Sequence, residues 1–280
     1  MNLRAAVIAT LFLTAGCTRQ PEGVVAFHSN RDGNFEIYTM NGDGSGQLRL
    51  TQHPANDVSP AWPPDGSRIA FASDRDGTWD IYTMKPDGSD LRQLTKGQGA
   101  NTAPSWSHNG MSIVFISTRD AVNGEVYRMT ADGQATDRLT ADSLVKDTPV
   151  LTRDGGAVLV TLNIKGRFAI ASIALPSRTV TMLTQPGHDS ETPVLSADRD
   201  EVLFASNRDG SYEIYTMTSA GAMQTRLTTN DVDDRMPSYT GTPGEILVAK
   251  KGGIYRIVLA TKKETVLSYK GDYAPAWHTR

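Results

Sequence analysis

One short apolar run returns six times along this chain at a nearly constant interval. It begins at Val25 (VAFHS), Ile69 (IAFAS), Ile113 (IVFIS), Val158 (VLVTL), Val202 (VLFAS) and Ile246 (ILVAK), with spacings of 44, 44, 45, 44 and 44 residues. β-Branched and aromatic residues suit a pleated, half-buried strand. A period in this range marks units that cannot bury their faces alone and must stack on their neighbours. With four strands per unit, the architecture that satisfies it is a propeller.

The second unit shows the four strands most clearly. Within Ile69–Thr95, IAFAS is closed by Asp76-Gly77, DIYTM by Pro86-Asp87-Gly88, and LRQLT follows. Strand, turn, strand, turn, strand is a meander. A fourth strand precedes each apolar run and opens near a proline: SPAWPPDGSR at 59–68, APSWSHNGMS at 103–112, TPVLTRDGGA at 148–157, TPVLSADRDE at 192–201 and MPSYTGTPGE at 236–245. We letter the strands A to D, with A the strand that carries the proline.

The first unit lacks an A strand, and the chain ends on a lone one, APAWHTR at 274–280. Joining the two closes the ring and removes an exposed strand edge. The expected fold is all-β: a six-bladed propeller over 24–280, its four-stranded antiparallel blades closed where the C-terminal strand joins the first three. The blades are 24–51 plus 274–280, then 58–95, 103–140, 147–184, 191–228 and 235–269.

Hydrophobic residues make up 39% of the chain and charged residues 21%, an ordinary globular balance. The net charge of −3, with Lys and Arg scattered, argues against a nucleic-acid surface. The N-terminus is a separate object. Arg4 precedes AAVIATLFLTAG, too short for a comfortable membrane span, and the only cysteine, Cys17, follows directly. Leu13-Thr14-Ala15-Gly16-Cys17 resembles a bacterial lipobox. That resemblance implies a signal peptide over 1–16, a lipid-bearing Cys17 and a short tether over 17–23. Cleavage would remove Arg4 and move the net charge from −3 to −4. The non-acidic Thr18 then fits outer-membrane sorting, with the protein facing the periplasm.

The repeated residues resemble the TolB-type propeller repeat, which is related to WD repeats. SxRDGxx[ED]IYxM stands at Ser29–Met40, Ser73–Met84 and Ser206–Met217, and PAWxPDG at 60–66. The third unit carries a one-residue insertion, STRDAVNGEVYRM; the fourth replaces the motif with NIKGRFAI, and the sixth keeps only GGIY. TolB itself has a further N-terminal domain, whereas residues 18–23 alone separate Cys17 from the first strand here, so a propeller-only relative is expected. The resemblance implies a non-catalytic scaffold that binds an envelope protein or peptide segment at the mouth of its channel. It implies no required cofactor, with calcium or another cation as a candidate occupant of the channel. A monomer that meets the membrane only through its lipid is expected.

Residue by residue, the RDG turn reads as scaffold. Gly33, Gly77 and Gly210 supply its permissive backbone, and Arg31, Arg75 and Arg208 are placed to reach Glu36, Asp80 and Glu213 on the next strand. Trp62, Trp106, Trp277, Tyr239, Leu151 and Leu195 share one position after the strand A proline and read as packing between blades. Asn41-Gly42-Asp43-Gly44-Ser45 lacks the distal glutamate of a calcium loop and reads as a turn.

More informative is the start of strand A, which a propeller gathers around its channel. Asp57, Asn101, Lys146, Ser190, Asp234 and Asp272 stand three residues before the proline, and Asp147 and Glu191 one place later. Such carboxylates either cap the D–A turn or bind a ligand. The candidate mouth residues are Asp57, Asn101, Asp147, Glu191, Asp234 and Asp272. Asp57, Asp234 and Asp272 are the candidate cation ligands, because hard cations take oxygen. The alternative is a metal-dependent polysaccharide lyase or a glycan-binding protein like the oligogalacturonate-lyase propellers. His53 and His188 in the D–A loops would then be the candidate ligands. No histidine pair has metal-ligand spacing, and no GxSxG occurs.

Overall fold

The computed structural model describes residues 23–269 and 271–279. The expected signal peptide, Cys17 and most of the expected tether fall outside the described residues.

In chain order, β1 (Val24–Ser29), β2 (Glu36–Asn41) and β3 (Leu48–Arg49) belong to the first blade. The second holds β4 (Asp57–Ala61), β5 (Ile69–Ser73), β6 (Asp80–Met84) and β7 (Arg92–Gln93). The third holds β8 (Asn101–Trp106), β9 (Ser112–Ser117), β10 (Glu125–Thr130) and β11 (Thr136–Arg138). The fourth has β12 (Val145–Leu151), β13 (Ala157–Ile164), β14 (Arg167–Ala174) and β15 (Val180–Met182). The fifth has β16 (Ser190–Leu195), β17 (Val202–Ser206), β18 (Glu213–Met217) and β19 (Thr225–Arg226). The sixth has β20 (Arg235–Tyr239), β21 (Glu245–Lys250), β22 (Gly253–Val258) and β23 (Lys263–Ser268). Last comes β24 (Asp272–His278), which pairs antiparallel with β1 and makes the first sheet β24-β1-β2-β3. Six four-stranded sheets result, each in A-B-C-D order. The A strands contact one another in sequence, β4 to β8 to β12 to β16 to β20 to β24 and back to β4, and so form the inner wall.

Strands B and C are almost wholly buried because blades cover them on both faces. Six apolar clusters fill the six gaps between blades. The residue two places after the strand A proline enters each one: Trp62, Trp106, Leu151, Leu195, Tyr239 and Trp277 pack into six different gaps. These aromatics therefore seal one blade against the next, as their shared position implies. Trp106 fixes its ring further by donating Nε1–H to the carbonyl of Ala61 in the preceding blade, at 3.1 Å.

The sequence gives no sign of one feature. The residue before the proline in every blade, Ser59, Ala103, Thr148, Thr192, Met236 and Ala274, has φ between 45° and 55°. The register of strand A against strand B slips at that point in all six sheets. Each is a β-bulge, and it bends the inner wall halfway along the channel. Holding an L-residue in this region costs roughly 1–2 kcal/mol. Most A strands also begin one or two residues earlier than their proline suggests, so Asp57, Asn101, Ser190 and Asp272 open their strands.

Candidate functional site

The strand A residues three places before the proline form a closed, buried ring. Asp57, Asn101, Asp234 and Asp272 are fully buried, and Lys146 and Ser190 nearly so. Each has a partner. Arg75 grips Asp57 with one nitrogen, Nη2, 2.9 and 2.8 Å from the two carboxylate oxygens. Arg31 pairs with Asp272 and Lys250 with Asp234, the latter at 3.4 Å. Arg119 donates to Asn101 Oδ1 at 3.1 Å, and Ser190 donates to Ser206 Oγ at 3.0 Å. The expectation that Arg31 and Arg75 would reach Glu36 and Asp80 is therefore corrected. The RDG arginine folds back over Phe71 and Tyr82, 5.7 and 4.7 Å from their centroids in the second blade, and ends on its own blade's A strand. Stacking on aromatic faces suits the planar guanidinium and directs it inward. Arg208 likewise stacks on Phe204 and Tyr215, and its ring contact is Ser190 rather than Glu213. The RDG turns themselves are as read, with φ of 115°, 90° and 118° at Gly33, Gly77 and Gly210.

The acidic residues of strand C have a different task. The hydroxyls of Thr51, Thr95, Thr140 and Thr228 donate to Glu36, Asp80, Glu125 and Glu213. Several of these acids then reach the next blade, as Asp80 does by accepting from Asn101 Nδ2 at 2.9 Å. At the degenerate fourth blade this linkage becomes an ion pair. Leu162 and Ile164 replace the serine and arginine of the motif, and the ring residue itself is the cation: Lys146 pairs with Glu125 at 3.0 Å and with Asp142 at 2.6 Å.

These contacts bear on Asp57, Asp234 and Asp272, the candidate cation ligands. They stand in three blades, each against its own cation, and a metal would have to displace Arg75, Lys250 and Arg31. Burial pushes the Asp57 and Asp234 carboxyls above their ordinary value, against the opposing pull of Arg75 and Lys250. Among the described residues no group of three or more His, Cys, Asp or Glu is arranged to hold a metal ion. His53 and His188 are both exposed, in loops of different blades, and His53 Nδ1 accepts the backbone N–H of Ala55.

The row one place later is different. Val58, Thr102, Asp147, Glu191, Arg235 and Tyr273 surround the D–A end of the channel, and all remain partly or fully accessible. Asp147 and Glu191, both singled out from the sequence, are adjacent enough to influence each other. Glu191 accepts from Arg235 Nη1 at 2.6 Å, and that guanidinium lies over Tyr212, 3.4 Å from the ring centroid. Asp147 is open to water yet enclosed by surrounding protein, which pushes its carboxyl up; Glu191 is raised for the same reason despite Arg235. Across the channel the mouth is aromatic: Tyr273 stacks on His28 with centroids 5.8 Å apart, and Phe35 meets both. Sequence reading missed Arg235 and Tyr273, although alignment of the six strand A copies places them in the row of Asp147 and Glu191.

Below this row lies a chamber of about 680 Å³. The bulge residues and the row of six prolines, Pro60, Pro104, Pro149, Pro193, Pro237 and Pro275, line it, and its wall continues past the seals to the A–B turns at Pro63, His108, Arg199 and Gly241 without including the row of Asp147 and Glu191. Its size and apolar lining match those of ligand-binding cavities. His28 also lines it; burial lowers the imidazole to about 4, and the nearby Asp272 opposes that shift. The channel thus has an apolar chamber toward its A–B end and charged groups at one side of its D–A rim.

No curated protein matches the chain. Solved structures with the same fold include TolB from Acinetobacter baumannii, 22% identical with a TM-score of 0.79, the match covering 92% of this chain and 67% of that one. A protein assigned as TolB in Agrobacterium tumefaciens is 15% identical with a TM-score of 0.71, covering 92% of this chain and 93% of that one. The oligogalacturonate lyase of Vibrio parahaemolyticus is more distant, 12% identical with a TM-score of 0.56, covering 88% of this chain and 73% of that one. The model of the TolB beta propeller domain matches residues 13–92 and 75–243. With six such blades in a closed ring and the sequence of most of them matched, this chain belongs to the TolB β-propeller family.

Proposed function

We propose that this protein is a non-catalytic, protein- or peptide-binding propeller of the bacterial cell envelope, and that a segment of its partner enters the channel at the D–A mouth. The observation that carries this reading is the contrast between two adjacent rows of strand A. In the ring row, Asp57, Asn101, Lys146, Ser190, Asp234 and Asp272 are buried and partnered. In the next row, Asp147, Glu191, Arg235 and Tyr273 stay accessible at the D–A mouth. A scaffold needs the first row; the second has the mixture of charge and apolar surface that recognises a ligand. Asn101, Asp57, Asp234 and Asp272 support the mouth from behind. A channel cation on Asp57, Asp234 and Asp272 is not part of this reading.

In the same reading Cys17 carries the lipid, and the protein faces the periplasm from the outer membrane as a monomer. The described chain begins at Gly23, against the indole of Trp277 at the A–B end. The tether thus enters opposite the mouth, and a handful of extended residues reach only about 20 Å. The mouth accordingly points away from the membrane.

Immobilised wild-type protein should capture a partner from envelope extract, and Asp147→Ala with Glu191→Ala should abolish capture. Retention of the same partner by the double variant would refute the site. Metal analysis and incubation with acidic glycans test the lyase alternative; a bound divalent metal with cleavage would overturn the non-catalytic reading. Labelling with a fatty-acid probe, lost in Cys17→Ser, tests the anchor.

A further inference from the structure

Two departures from the repeat lie side by side on the D–A face, and neither is needed by the scaffold. The insertion in the third blade places Val122 on the B–C turn, and its side chain is 93% exposed. The corresponding turns of the first, second and fifth blades carry Asn34-Phe35, Thr78-Trp79 and Ser211-Tyr212 before strand C, where the third has Val122-Asn123-Gly124. Val145 opens strand A of the fourth blade and is 42% exposed. Asn123 Nδ2 donates to the carbonyl of Ser143 at 2.8 Å and ties the two loops together.

Two residues beyond Val145 stands Asp147. Its neighbours at the starts of the fourth and fifth blades are neutralised: Asp142 by Lys146 at 2.6 Å, Asp189 by Arg167 at 3.3 Å, and Glu191 by Arg235 at 2.6 Å. Asp147 accepts the backbone N–H of Thr148 and, among the described residues, has no cation. An exposed carboxylate without a cation of its own is open to pairing with one that a ligand brings, and apolar surface left in water is costly. One ligand meets both.

We infer that this corner, Val122 and Val145 beside Asp147, selects a partner segment that presents a Lys or Arg side chain next to an aliphatic one. The inference rests on the channel-mouth reading and adds the chemistry of the partner to it. In an extended segment, side chains two residues apart point the same way at about 7 Å separation. A basic-x-aliphatic sequence therefore meets the carboxylate and the valines together. The cation gives Asp147 an ion pair of the kind that Glu191 already has with Arg235, and the aliphatic group covers the valines.

A display library of random nonapeptides panned on the immobilised full chain tests this. Clones held by the wild type should be enriched in basic-x-aliphatic sequences, should weaken about tenfold or more on Asp147→Asn, and should weaken several-fold on Val122→Ser. Both side chains are exposed, so both variants should melt with the wild type. Clones that survive both substitutions but are lost on Tyr273→Ala would overturn this inference and leave the channel mouth as the binding site. If the wild type retains no clone, the channel-mouth reading falls as well.

Discussion

Lys146 Nζ lies 3.0 Å from Glu125 Oε2 across the boundary between the fourth and third blades, and both side chains are fully buried. In the second blade the same ring position is an aspartate held by an arginine of its own blade, Asp57 with Arg75. The fourth blade has lost that arginine and keeps a paired ring by exchanging the charge. What reads in sequence as degeneration is in space a substitution of one ion pair for another.

Removing Lys146 leaves the buried Glu125 with Arg138, 3.3 Å away and partly exposed, as its one remaining cation among the described residues. Lys146→Ala should destabilise the protein by about 2–3 kcal/mol, less than the loss of an only partner would cost. Lys146→Met together with Glu125→Gln should cost much less, because neither buried charge remains. Denaturant unfolding of the three proteins checks this; equal losses in both variants would refute the pairing as the cause.

The fifth blade offers the converse experiment. Arg208 is partly buried with a serine, Ser190, where Arg75 finds a carboxylate, and burial lowers its pKa. Ser190→Asp should restore the missing pair and raise stability by ~1 kcal/mol, since the cation is already desolvated. A fall in the unfolding midpoint would show that the added carboxylate costs more to bury than the pair returns.

The six bulges predict a response to glycine. Ala103 has a φ of 50°, where a Cβ is strained and glycine is at ease. Ala103→Gly should stabilise by ~1 kcal/mol even though the unfolded chain gains freedom. At Ala26, a buried position in a regular strand, the same change should destabilise. Thermal unfolding of the two variants distinguishes a bulge from a strand.

Acid should unfold the protein partly through His28. Its folded value is about 4 against an ordinary 6.5, with burial as the main cause. A depressed folded pKa gives stability that is fully present above pH 6.5 and is lost as pH falls through about 4. The size is on the order of 3 kcal/mol. His28→Gln keeps an acceptor for the Ser59 N–H and cannot take up the proton, so its stability should fall less over that window. Parallel pH profiles would rule out His28 as the titrating group.

The blade count, the closing strand and the six inter-blade seals were all legible in the sequence. Each rests on a periodic signal, and Trp62, Trp106, Leu151, Leu195, Tyr239 and Trp277 sit in register with the repeat that defines them. The partners of the ring were not legible. Arg31 and Asp272 are 241 residues apart, and strand spacing alone pointed Arg75 at Asp80 rather than Asp57. Nothing in Ser59 or Ala103 announces a left-handed backbone, which closure of the inner wall imposes.

Local alternation and a fixed period thus determined the propeller, because strand pairing and burial follow from patterns that each unit carries within itself. Which carboxylates are interior posts and which face a ligand was decided only in three dimensions. Asp57 and Asp147 lie at neighbouring positions of equivalent strands, and the sequence treats them alike. Burial and an arginine brought round by the B–C turn close off the first, while the second stands one place later, where the next blade supplies Glu191 and not an arginine.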